Sequence, residues 1–137
     1  MALVRHVDAD LAVRDGQDHA YYALFNTLDM IKHVVVAYAH HQPVGCGAIK
    51  AYGPATMEVK RMFVAPEKRN RGIAGRILDE LEHWAMELSC EKCVLETGRR
   101  QPEAIALYEK HGYTRIPNYG QYAEMENSVC FEKALRS

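Results

Sequence analysis

Residues 57–97 impose the strongest constraint on what this chain can fold into. Residues 57–64 alternate like a strand and are stopped by Pro66, and a glycine-bearing cationic turn follows. Ile73, Ile77, Leu78, Leu81, Trp84, Ala85 and Leu88 then recur on one helical stripe, and the short apolar run 93–97 returns as a strand. Strand, helix, strand is a crossover unit, so its two strands must lie parallel in one sheet with the helix packed across a face. Regular alternation predicts Glu58, Lys60, Met62 and Val64 on one face of the first strand, and Val59, Arg61 and Phe63 on the other.

Around this unit the remaining elements can be placed. Leu3, Val4, Val7 and Leu11 recur at helical spacing, and residues 18–28 carry Tyr21, Tyr22, Leu24, Phe25 and Leu28 in a second short helical pattern beyond Gly16. Residues 33–39 form a β-branched run, 40–43 are turn-like and 44–51 return, which reads as an antiparallel hairpin. Past Gly98, Pro102 suits the first turn of a helix that contains Tyr108 and closes at His111 and Gly112, and two last strands fit 113–116 and 129–134. This order predicts an α/β (α+β) domain, a mixed sheet with helices on its faces.

A chain of 137 residues, 48% hydrophobic and 26% charged, is expected to form one domain over 1–137 with a core that needs no disulfides. Its longest apolar run, 34–39, is far below the ~20 residues of a membrane span, and Arg5 and Asp8 come too early for a secretory leader. The expectation is a cytoplasmic protein with no membrane partner. A net charge of -1 speaks against nucleic acid as a partner.

Charge is nevertheless uneven. Lys60, Arg61, Lys68, Arg69, Arg71 and Arg76 face one acid, Glu67, across residues 60–76, which makes that stretch +5 and the rest of the chain -6. Within it, Arg69, Arg71, Gly72, Ile73, Ala74, Gly75 and Arg76 stand where strand gives way to helix. A helix N-terminus offers unpaired amides and about half a positive charge to phosphate oxygens, small residues let the anion approach, and flanking arginines add charge. No P-loop pattern occurs, and Gly45-Cys46-Gly47 lacks the third glycine of a dinucleotide fingerprint.

The turn Arg69-Asn70-Arg71-Gly72-Ile73-Ala74 resembles the [Q/R]-x-x-G-x-[G/A] pyrophosphate loop of the GNAT superfamily of acyl-CoA-dependent N-acetyltransferases. Residues 104–113, a helix with a tyrosine running into a glycine-aromatic strand start, are similar to that family's second motif. Residues 95–98, 101–104, 116–122 and 128–133 are similar to a bacterial subgroup, which leaves the acceptor amine open. Over residues 33–135 the resemblance implies a mixed, mostly antiparallel central sheet with helices on both faces, acetyl-CoA as cosubstrate, and acetyl transfer to a primary amine of a small molecule or peptide by direct attack. Two departures stand out. Gln101 occupies a cofactor-binding position where the family often has Asn, and the strand that usually opens the fold is replaced here by a helical pattern unless residues 1–5 are extended.

Acetyl transfer needs a neutral amine, a polarised thioester carbonyl and a proton for the departing thiolate. Deprotonating a lysine-like amine near pH 7 takes roughly 4 kcal/mol of help. Glu58, on the strand before the loop and expected opposite Phe63, is the candidate base, with Glu96 its rival. Given the second motif, Tyr108 is the candidate acid, and a backbone N–H near Phe63 and Val64 would polarise the carbonyl.

No metal is implied. Cys90 and Cys93 have C-x-x-C spacing without a second pair, the seven histidines are scattered, and Ser89, Ser128 and Ser137 lack a nucleophile-elbow context. Two other functions compete, a non-catalytic acyl-CoA-binding module and a GNAT-like toxin acetylating aminoacyl-tRNA. Tyr119, Tyr122, Glu124 and Glu126 could form an aromatic, acidic lip for a cationic amine, and a homodimer is left open.

Overall fold

The computed structural model describes residues 3–8, 33–69 and 71–135. Seven strands run β1 (Leu3–Asp8), β2 (His33–Ala39), β3 (Gln42–Gly53), β4 (Thr56–Val64), β5 (Lys92–Gly98), β6 (Thr114–Ile116) and β7 (Ser128–Ala134). Helix α1 (Ile73–Glu87) joins β4 to β5, and α2 (Pro102–Lys110) lies between β5 and β6. They form one sheet in the order β1-β2-β3-β4-β5-β7-β6. The pairs β1–β2 and β4–β5 are parallel and the other four are antiparallel, so the sheet is mixed and mostly antiparallel, with the crossover unit as expected.

The helical reading of Leu3, Val4 and Val7 is corrected. These residues are strand β1, in parallel register with β2 from Leu3↔His33 to Asp8↔Tyr38. A pattern this short satisfies either period, and β-branched valines beside a free sheet edge settle it by pairing, because a ladder supplies hydrogen bonds that an isolated turn of helix does not. Leu11 and the helical pattern over 18–28 lie outside the described residues.

Strand β2 is buried on both faces from Val34 to Ala39, which explains an unbroken apolar run where a half-exposed strand would alternate. Register carries one face through Ile49, Val59, Leu95 and Phe131, all 5% exposed or less, and α1 covers it with Ile77, Leu78 and Leu81. Helix α2 packs on the same face, since the Tyr108 ring lies 6.2 Å from that of Phe131. A buried polar network ties these layers together. Glu82 of α1 accepts hydrogen bonds from Tyr113 Oη at 2.9 Å and from Lys133 Nζ of β7 at 2.8 Å.

Regular alternation in β4 fails at one residue. Ala48 pairs with Lys60 but Cys46 pairs with Phe63, so β4 spends one residue more than β3 there, and Arg61 takes a left-handed φ of 59°. This β-bulge reverses the pleat. Glu58, Lys60 and Phe63 share the face opposite the helices, whereas Val59, Met62 and Val64 share the helix face. Phe63 is therefore on the same face as Glu58, contrary to the strict alternation that placed it opposite, and Met62 and Val64 do not share a face with Glu58 and Lys60.

Candidate functional site

The bulge also opens the sheet. Strands β4 and β5 pair from Thr56↔Lys92 to Val59↔Leu95 and no further, while β5 stays on β7 as far as Gly98↔Ser128. Between the diverging strands lies a cleft of about 350 Å³, lined by Glu58, Lys60 and Arg61 on one side, Glu96, Thr97 and Gly98 on the other, and Gln101, Ala104, Tyr108 and Tyr122 at its ends. Glu58, Lys60 and Glu96 stand on the face opposite the helices, whereas Tyr108 approaches from the helix face. The cleft is thus a slot through the sheet, with its carboxylates on one face and its phenol on the other.

Tyr108 sits in the last turns of α2, 6% exposed, its ring edge-on to Tyr113 at 5.9 Å. Burial, with a smaller push from the Glu96 charge, raises its phenol to about 12. It therefore keeps its proton throughout the neutral range and can donate into the slot.

Glu58 is 7% exposed, and a carboxylate buried this far must be hydrogen-bonded. Tyr119 Oη, from the loop between β6 and β7, donates to Glu58 Oε2 at 2.7 Å, and Lys60 Nζ lies 3.7 Å from Oε1. Burial and the Glu58 carboxylate together push the Tyr119 phenol far above its usual range. Glu96 is held differently, its Oε2 accepting from Ser128 Oγ at 2.7 Å. The expected lip is only half present. Tyr119 and Tyr122 meet edge-on at 5.6 Å, but Glu124 and Glu126 are exposed and outside the cleft lining. The cation against Tyr122 is the chain's own Lys60, which donates to Tyr122 Oη at 3.2 Å. Alternation had marked Lys60 only as a neighbour of Glu58, and nothing in the sequence pointed to Tyr52, which packs on Tyr119 at 4.9 Å.

The turn expected to cradle an anion lies beyond the end of β4. A 3-10 turn at Pro66–Lys68 leads to Gly72, whose φ of 78° only glycine adopts without strain. Among the described residues, apart from its chain neighbours, no atom lies within 4 Å of where a Cβ on Gly72 would stand. The first intrahelical bond runs from Arg76 N–H to Gly72 O at 3.2 Å, so the Arg76 amide is used within the helix and those of Ile73, Ala74 and Gly75 precede the ladder. Arg71 and Arg76 are exposed, whereas Arg69 is tied back, its Nε donating to Val64 O at 2.9 Å and its guanidinium standing over the Phe63 ring at 5.9 Å. Asn70 lies outside the described residues.

Gly75 has another duty than ligand approach. A Cβ there would stand 2.6 Å from His111 Nε2, so the missing side chain lets the end of α2 close on the start of α1. The structure therefore gathers Glu58, Gln101 and Tyr108 in the slot, sets Gly72, Ile73, Ala74, Arg71 and Arg76 around the cradle, and places Phe63 and Val64 on the strand that joins the two.

The thiols of Cys46 and Cys93 are pushed up to about 12 by burial. Among the described residues no three His, Cys, Asp or Glu side chains gather as metal ligands, and no helix is long and apolar enough to cross a membrane.

Comparison with known proteins bears on the family and the fold. A family model described as an acetyltransferase (GNAT) domain matches residues 31–115. An IAA acetyltransferase of Azospirillum brasilense is 40% identical over 97 residues, 67% of this chain and 61% of that relative, so the match spans less than two thirds of the relative's length. The crystal structure of a Klebsiella pneumoniae protein described as an acyl-CoA N-acyltransferase superposes with a TM-score of 0.74 at 31% identity, covering 86% of each chain. A GNAT family acetyltransferase of Elizabethkingia anophelis, solved with acetyl-CoA bound, superposes with a TM-score of 0.69 at 21% identity, covering 86% of this chain and 85% of that one.

Proposed function

The chain belongs to the GNAT acetyltransferases, and from that premise we propose that it transfers an acetyl group from acetyl-CoA to a primary amine by direct attack. The observation that carries this reading is the slot between β4 and β5, with a proton-accepting carboxylate on one face and a proton-donating phenol on the other. Related folds solved with acetyl-CoA bound support the choice of donor. The residues present fit such a ligand. The amides of Ile73, Ala74 and Gly75, with Arg71 and Arg76, would hold its pyrophosphate, and the open space over Gly72 leaves room for it. Gln101, exposed at the start of α2 and lining the slot, would contact the donor from the helix side.

When bound, acetyl-CoA supplies an activated acyl carbon. Beyond Val59 and Leu95 the facing edges of β4 and β5 have no ladder partner, so a strand-end amide near Phe63 or Val64 would polarise the carbonyl. Glu58 removes the proton that the amine sheds, and Tyr108 donates to the departing sulfur. Glu58 and Tyr108 reach the slot from opposite faces, so an acceptor would meet Glu58 on one face while the cradle and Tyr108 would hold the donor from the other.

A panel of polyamines, amino acids, aminoglycosides and peptides, assayed by thiol release, tests the activity. Tyr108→Phe keeps the ring packed on Tyr113 and Phe131 but deletes the proton, so turnover with the best amine should fall about 10- to 1000-fold. The rise in Tm on adding acetyl-CoA should persist in that variant. Undiminished turnover in Tyr108→Phe would make Tyr108 a core aromatic. A wild-type protein that binds acetyl-CoA yet releases no thiol with any amine would be a binding module.

A further inference from the structure

Lys60 sits where an acceptor must pass, beside the proposed base Glu58 and against Tyr122. Its side chain is 20% exposed and lines the slot on the Glu58 face. An ammonium carries three N–H donors. One goes to Tyr122 Oη at 3.2 Å, whereas Glu58 Oε1 at 3.7 Å is within ion-pair range but too far for a hydrogen bond. Because Lys60 lines the slot, an anionic group of a ligand entering there meets the ammonium directly.

The slot's charges point the same way. Glu58 and Glu96 are countered by Lys60 and Arg61, which brings the charged lining to zero. A polyamine would bring uncompensated positive charge into this lining. It would also find the position against Tyr122 already held by the chain's own ammonium. A molecule with its own anionic group beside the amine matches both partners at once.

Building on the acetyl-transfer reading, we infer that the acceptor is a small zwitterion of the amino-acid class, its carboxylate held by Lys60 and its amine presented to Glu58. Glu58 and Lys60 are two residues apart on one strand face, so a carboxylate one or two carbons from the amine spans them. Lys60 is a specificity residue in this scheme, and Tyr122 fixes its ammonium at the mouth of the slot.

The test compares methionine and glutamine with their carboxamides and with the matched amines that lack the carboxylate. Two readouts are taken, thiol release in the presence of acetyl-CoA and calorimetric binding. Wild-type protein should favour the carboxylate-bearing member at least tenfold in kcat/KM, mainly through KM. Lys60→Met should erase that preference, lowering kcat/KM for the carboxylate-bearing acceptors at least tenfold more than for the carboxamides, and Lys60→Arg should retain most of it. Equal or better use of the amines without a carboxylate overturns the proposal, as does a uniform loss across all acceptors in Lys60→Met, for Lys60 would then only neutralise Glu58. Carboxylate-selective binding without thiol release sustains the zwitterion site and removes the acetyl-transfer reading. Thiol release without carboxylate preference does the reverse, and a panel that neither binds nor reacts overturns both.

Discussion

Glu58 and Glu96 face the same slot from neighbouring strands, yet their surroundings fit them for different tasks. Tyr119 and Lys60 hold Glu58, while Glu96 is fixed by Ser128 and is the carboxylate whose charge reaches Tyr108. If Glu58 takes the amine proton, Glu58→Gln keeps an oxygen for Tyr119 but no base. Its kcat/KM should fall most at the pH where the wild-type carboxylate is ionised and the amine still protonated, and the deficit should shrink as rising pH supplies neutral amine. Glu96→Gln should mainly raise KM. Rate profiles of both variants from pH 6 to 10 decide the matter, and a pH-dependent kcat loss confined to Glu96→Gln would exchange the two roles. As residue types on adjacent strands, both carboxylates were legible in the sequence. Their hydrogen-bond partners were not, because Tyr119 and Ser128 come from segments far along the chain.

At the level of elements, the two glycines of the cradle look alike in sequence but do different work. Gly72 serves a backbone angle, with open space where a side chain would go, and Gly75 serves the approach of two helices. Gly72→Ala should therefore cost only the left-handed strain, about 1–2 kcal/mol. Gly72→Asp should in addition abolish the acetyl-CoA-induced rise in Tm by placing a carboxylate in the anion site. Gly75→Ala should destabilise by about 1–3 kcal/mol through the collision with His111, and much of that cost should vanish in a His111→Ala background. Additive effects in that urea-denaturation cycle would show that the helices do not meet through this pair. The bulge at Arg61 was the element least visible beforehand. A lone arginine at positive φ leaves no mark in a hydrophobic pattern, and the extra residue shows only against the partner strand.

For the molecule as a whole, burial sets the response to alkali. Cys46, Cys93 and Tyr108 are each raised to about 12, above the ordinary values of a thiol and a phenol. In the unfolded chain they would lose their protons first, so the folded state binds more protons above pH 9 and stability must fall as pH rises. The contribution is complete below about pH 9 and is lost as pH climbs through 12. Urea midpoints should hold steady to pH 8.5 and then decline, with a shallower decline in Cys46→Ala; a midpoint unchanged to pH 11 would mean that these groups are not buried in solution. The sequence by itself determined the crossover unit, the glycine-bearing cationic turn at the start of α1 and the place of Tyr108, because each is written in local periodicity or in small residues at fixed spacing. The tertiary structure alone decided that residues 3–8 pair as an edge strand, that β4 reverses its pleat at Arg61, and that Lys60, Tyr119 and Tyr122 converge on Glu58. Those outcomes depend on which backbone lies alongside and which distant side chain supplies the missing hydrogen bond, and no local pattern carries that information.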